Sequence, residues 1–227
     1  ARHWGLDSPP NFEHAHWHLR VAAPLPPAQA AILASARAKL LARRETRVRP
    51  GLDDKVLTGW NALMIEGLAH AARVFDRPDW LALARGALDF LRTTLWRDGR
   101  LLATARRGRA HLDAYLDDYA FLLLALTELL QADFRADDLA FARTLAETLL
   151  ARFEDKAEGG FHFTADDHET LIHRPKPMHD NSMPSGNAAA ILGLLRLGRR
   201  LGQPAWLASA GRALRLFQPE LSRHPGG

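Results

Sequence analysis

Three aspartates, Asp54, Asp118 and Asp180, each lie at the start of a strongly apolar run and could serve as acid or base groups. Glycoside chemistry works with carboxylates in pairs, one protonated as acid and one ionised as base or nucleophile, and their separation sets the stereochemical outcome. Trp60 and Tyr119 could stack on a sugar ring, Asn61, Ser185 and Asn187 could bond its hydroxyls, and Lys55 adds a cation beside them. The same residues also suit a purely structural role. Aspartate at a helix start is a common cap, and Pro184-Ser185-Gly186-Asn187 is ordinary turn and cap chemistry. Both readings stand at this level.

What brings these residues into one argument is repetition. Leu52-Asp53-Asp54-Lys55 runs into Trp60-Asn61-Ala62-Leu63-Met64, Leu116-Asp117-Asp118-Tyr119 into Ala120-Phe121-Leu122-Leu123, and Asp180-Asn181-Ser182 through Ser185-Gly186-Asn187 into Ala188-Ala189-Ala190-Ile191. With Asn61, Tyr119 and Asn187 superposed, the spacings are 58 and 68 residues. That is about one helical hairpin plus a connecting arm, and a reused unit places its equivalent ends together.

The elements that would position them are helices. Residues 27–44 predict an amphipathic surface helix after an irregular lead-in, residues 1–26, rich in Pro, His and Trp. Residues 58–75, 119–131 and 187–201 are apolar nearly all the way round, the pattern of buried helices. The segments beginning at Pro78, Asp137 and Pro204 each carry a single apolar stripe and read as outer partners. An inner helix, a short turn and an outer helix make an αα-hairpin, repeated three times. Successive inner helices must then run parallel, so their amino-termini share one end, where three helix dipoles favour anionic or hydroxyl-rich groups. Residues 98–102 and 159–164 predict short β-hairpin arms between the pairs. The fold class is all-α, with residues 27–227 as one helical domain.

Composition excludes several alternatives. A chain of 227 residues, 47% hydrophobic and 25% charged, can bury a sizeable core. No apolar run reaches the ~20 residues that a bilayer span needs, and the first residues lack the apolar stretch of a secretory signal. Cysteine is absent, which removes disulfides and thiolate chemistry and makes the cytoplasm the expected location. The net charge of +4 sits in scattered arginines such as Arg43, Arg44, Arg106 and Arg107 with no alternating aromatics, so no nucleic-acid partner is expected. His14, His16 and His18 alternate as on one face of a strand, but no fourth ligand accompanies them and no metal site is assigned. Neither is a cofactor. His111 and His179 precede inner helices and are acid–base candidates only for an epimerase.

Asn11-Phe12-Glu13, the run from Leu52 to Ile65, Leu116-Asp117-Asp118-Tyr119-Ala120-Phe121 and Asp180 to Asn187 resemble, in order and spacing, the spermatogenesis-associated thioredoxin-like proteins. The resemblance covers nearly the whole chain. It implies an (α/α)6 toroid of the six-hairpin glycosidase kind, similar to N-acylglucosamine 2-epimerase, normally preceded by a thioredoxin-like domain. Seven helices do not close a twelve-helix toroid and no CxxC motif is present, so the chain reads as a piece of a longer protein or a divergent short member of the family. Two functions follow as expectations. One is a carbohydrate-active domain, hydrolase- or epimerase-like, with its ligand at the amino-terminal ends of the inner helices. The other is a non-catalytic helical module that supports a thioredoxin-like domain or binds a protein. Inner helices this apolar also predict self-association when neighbouring hairpins are missing.

Overall fold

The computed structural model describes residues 1–223. They form two compact units, residues 1–53 and the residues from 54 onward. The first unit holds short 3₁₀ turns and α1 (Ala30–Glu45), a sixteen-residue helix without a buried side chain. Ile32, Leu40 and Leu41 on it are exposed.

The second unit contains the three expected hairpins: α2 (Thr58–Phe75) with α3 (Pro78–Phe90), α4 (Leu116–Ala132) with α5 (Ala136–Thr148), and α6 (Gly186–Leu201) with α7 (Pro204–Arg223). Local chemistry sets their ends. Asp76 adopts a left-handed conformation after α2 and returns its N–H to Ala72, while Pro78 at the first position of α3 supplies a preset φ. Gly202 and Pro204 repeat that arrangement between α6 and α7. The helices α3 and α5 each end in a π turn, Leu91–Leu95 and Leu149–Phe153, which redirects the chain toward the arms.

Helix α4 packs between α2 and α6, and each inner helix also packs on its own outer partner. All its residues from Asp118 to Leu129 are buried, and Phe121, Leu122, Leu123 and Leu126 are fully so. The flanking inner helices differ from the expectation of all-round burial. Trp60, Met64, Val74 and Phe75 on α2 are 60–66% exposed, and Leu192 on α6 is 40% exposed. The physical reason is position: α4 has an inner helix on either side, whereas α2 and α6 each have one.

The first arm forms as expected and is larger. Strands β2 (Trp96–Arg97) and β3 (Arg100–Arg106) turn at Asp98-Gly99, β3 and β4 (Arg109–Asp113) turn at Arg107-Gly108, and both turns have two positive-φ residues. A further strand, β1 (Val56–Leu57), pairs with β3 in the register Leu57↔Thr104 and joins the sheet directly to the start of α2. The second arm is corrected. Among the described residues, 159–175 hold no strand, only the bridge Glu154↔Phe161. Asn187 accounts for this, because its amide accepts from the Phe161 N–H (2.8 Å) and donates to the Phe161 carbonyl (2.9 Å), taking the place of a partner strand.

Candidate functional site

Two adjacent carboxylates of α4 lie where the amino-terminal ends of α2, α4 and α6 meet. Asp118 sits in the first turn, 9% exposed. Its Oδ2 accepts from the N–H of Tyr115 at the start of its own helix (2.9 Å), and its Oδ1 accepts from the N–H of Gly59 in the first turn of α2 (2.8 Å). One carboxylate thus satisfies orphan donors of two helices. Burial pushes its pKa up to about 6, against the lowering effect of those two N–H bonds. Asp117 turns the other way, toward α6. A Cβ at Gly186, the first residue of α6, would collide with the Asp117 carboxyl group, which would have to turn away from α6 to admit it. Burial raises the Asp117 pKa as well.

Between these carboxylates and the sheet lies a cavity of about 260 Å³. Its wall includes Trp60, the stacked pair Tyr115 and Phe163 (centroids 4.9 Å apart, 12° between planes), Phe121 and Met183, and its polar groups include Thr104, Asp117 and Asp118. Trp60 is held over it by an Nε1–H donated to Met183 Sδ at 2.9 Å, yet remains 62% exposed. Thr104 is 4% exposed and its hydroxyl has no hydrogen-bond partner among the described residues.

The residues singled out by sequence separate into three groups. Trp60 and Asp118 reach the cavity, one as a free aromatic face and the other as a carboxylate committed to backbone N–H groups. Asp180, Ser185, Asn187 and Asn61 hold local structure. Asp180 accepts from the Ser185 N–H (2.8 Å), Ser185 accepts from the Ala188 N–H (3.4 Å), and Asn61 donates to the Leu57 carbonyl (2.8 Å). Asn187, 1% exposed, donates to Pro177 O (2.8 Å) in addition to holding Phe161, bonds together worth about 3 kcal/mol. Asp54, Lys55 and Tyr119 lie outside the cavity lining. Asp54 pairs with Arg106 and Arg107, which hold its carboxyl below the usual range, and Lys55 is exposed. Tyr119 is 3% exposed, its Oη accepts from the Leu101 N–H (3.0 Å), and it lines a separate cavity of about 390 Å³ beside Arg100 and Arg152. His111 and His179 are exposed, and His179 stands 3.8 Å from Glu220.

Sequence reading missed Tyr115, Phe163, Thr104 and the role of Asp117. For Tyr115 a signal existed, since an aromatic residue immediately before a capping Leu-Asp-Asp run must stand at the helix mouth. For Thr104 none did, because a threonine in a strand is unremarkable.

Residues 59–221 match the family model described as N-acylglucosamine 2-epimerase. The chain belongs to the N-acylglucosamine 2-epimerase family. Human spermatogenesis-associated protein 20 is 30% identical over 205 residues, which cover 86% of this chain and 26% of that protein. The chain therefore spans about a quarter of the length of this relative. Among solved structures, the cellobiose 2-epimerase of Spirochaeta thermophila superposes with a TM-score of 0.61 at 16% identity, covering 85% of this chain and 56% of that one. A D-mannose isomerase gives 0.60 at 14% (85% and 52%), and the unsaturated glucuronyl hydrolase of Bacillus sp. GL1 gives 0.55 at 18% (85% and 56%). These likenesses establish the fold: the three hairpins are arranged as in (α/α)6 toroids. No helix is long and apolar enough to cross a membrane among the described residues.

Proposed function

We propose that this chain is a carbohydrate-active domain whose ligand sits in the cavity at the amino-terminal ends of α2, α4 and α6. The observation that carries the reading is the composition of that cavity: flat aromatic faces at Trp60, Tyr115 and Phe163 beside the carboxylate of Asp117. Aromatic faces take up the apolar face of a pyranose ring, and carboxylates accept from its hydroxyls. Of the two aspartates, Asp117 is the acid–base group. Asp118 has both oxygens bonded to backbone N–H groups and fixes the relative placement of α2 and α4. Epimerase-like chemistry needs a base and an acid on opposite faces of one carbon and hydrolysis a second carboxyl across the glycosidic bond, so Asp117 supplies one of the two groups that either reaction requires.

The alternative, a non-catalytic module that supports a thioredoxin-like domain or a protein partner, draws on the capping bonds of Asp118, Ser185 and Asn187. One experiment separates the two. Cellobiose, D-mannose and N-acetylglucosamine are titrated into the 227-residue chain by tryptophan fluorescence, then incubated with it in D₂O and followed by NMR. Saturable quenching that disappears in Trp60→Ala, with deuterium entering at C2, is the expected result. Binding without exchange or bond cleavage supports the non-catalytic module, and no saturable binding removes the carbohydrate reading.

A further inference from the structure

Sulfur enters this chain only through Met64, Met178 and Met183, since cysteine is absent. Their surroundings differ. Met64 is 62% exposed on α2 and Met178 lines a separate cavity against α6 and α7, whereas Met183 alone of the three lines the cavity at the inner-helix starts. It is half-buried, neither sealed in the core nor fully in solvent. Its Sδ accepts the Trp60 Nε1–H, and that indole has no other hydrogen bond or ring contact among the described residues. The backbone beside Met183 is held from both sides: its carbonyl accepts from the Asn181 N–H (2.9 Å), and the Asp180 carboxylate accepts from the Ser185 N–H (2.8 Å). One thioether therefore sets where the exposed aromatic face stands.

Resting on the carbohydrate reading above, we infer that Met183 positions Trp60 and makes ligand binding at this cavity redox-sensitive, oxidation of its thioether to the sulfoxide displacing the indole from the cavity. The oxidant is a hydroperoxide, which transfers one oxygen atom to Sδ. The O–O bond breaks, an S–O bond forms, the sulfur is oxidised by two electrons and hydrogen peroxide is reduced to water. The sulfur stands 2.9 Å from Nε1. An oxygen placed on it needs about 2.7–3.2 Å of its own to the same N–H, so sulfur and indole cannot keep their present separation. With the backbone held at Asn181 and Ser185, the exposed indole is the group that yields. The product also puts a polar S–O group where a soft, polarizable sulfur stood, in a wall that includes Tyr115, Phe121 and Phe163. Methionine sulfoxide reductases, one for each epimer of the sulfoxide, reverse the change.

The test uses the 227-residue chain carrying Met64→Leu and Met178→Leu, volume-conserving replacements that leave Met183 as its only sulfur. It is treated with hydrogen peroxide, mapped by peptide mass spectrometry, and titrated with cellobiose by calorimetry before and after. A gain of one oxygen on the Met183 peptide is expected, with cellobiose affinity lower by fivefold or more and a shift in the part of the tryptophan emission that Trp60→Phe removes. Treatment with both sulfoxide reductases and dithiothreitol is expected to restore affinity and emission. In Met183→Leu, made in the otherwise native chain, peroxide is expected to change neither. Sulfoxide at Met183 with affinity and emission unchanged overturns the switch while leaving a carbohydrate site in place, and so does a Met183 that stays unoxidised under peroxide sufficient to oxidise free methionine. Absence of cellobiose binding by the untreated protein overturns the carbohydrate reading itself, and the switch with it.

Discussion

Two carboxylates on one face of α4, Asp117 and Glu128, lie about 16 Å apart along the helix and meet opposite surroundings. Glu128 is 6% exposed, and its Oε1 takes Arg196 of α6 (3.1 Å) while its Oε2 takes Arg73 (3.3 Å) and His70 (3.4 Å) of α2. It ties three inner helices together with its charge compensated. Asp117, at the amino-terminal end, has aromatic rings, a second carboxylate and the backbone of Gly186 around it. The difference teaches that the inner layer has a tied end and an open end. Charge is neutralised where the helices are held, and left uncompensated where a cavity forms.

The largest effect that would sharpen this contrast belongs to Asp118. Its carboxyl rises from 3.8 to about 6 on folding, so the folded state holds that proton more tightly than the unfolded chain does. The associated stability is fully present below about pH 4 and is lost as pH rises through 6, a decline of roughly 3 kcal/mol. Asp117 and Glu66, also raised by burial, act in the same direction. Asp155, held down to about 2 chiefly by Lys176, acts below that window and in the opposite sense. Urea unfolding between pH 4 and 6 should therefore show a fall in the wild type and a much flatter profile in Asp118→Asn. Equal slopes would contradict the burial argument.

Glu128→Ala comes next. It removes the tie among α2, α4 and α6 but leaves arginines that can turn to solvent, Arg73 being 42% and Arg196 35% exposed. The expected loss is about 2 kcal/mol in urea unfolding, smaller than for a sealed ion pair. A change below 0.5 kcal/mol would show that the compensated end is not a tie. Smallest of all is the stability effect of Asp117→Asn, within about 0.5 kcal/mol, because no hydrogen bond among the described residues is lost.

The three inner helices and their outer partners were legible from apolar periodicity, and the shared end followed from hairpin order alone. What the sequence could not resolve was the assignment of neighbours. Asp117 and Asp118 are adjacent, and only the ~100° rotation per residue along α4 sends one to Gly186 and the other to Gly59. Asn187 looked like a ligand contact and proves to be a substitute for a strand, which depends on Phe161 arriving from 26 residues upstream. Tyr119 has the right type and position in the chain, yet the face of α4 it occupies turns it into the core under Phe153. Thr104 reaches the cavity through sheet pairing, a long-range relation that no local pattern encodes.

The most direct measurement is a cellobiose titration of the wild type and Asp117→Asn at pH 7, run beside urea unfolding of the same two proteins. An open-end carboxylate predicts affinity lower by tenfold or more with stability unchanged within about 0.5 kcal/mol. Unchanged affinity, or a loss of stability comparable to that of Glu128→Ala, would contradict it.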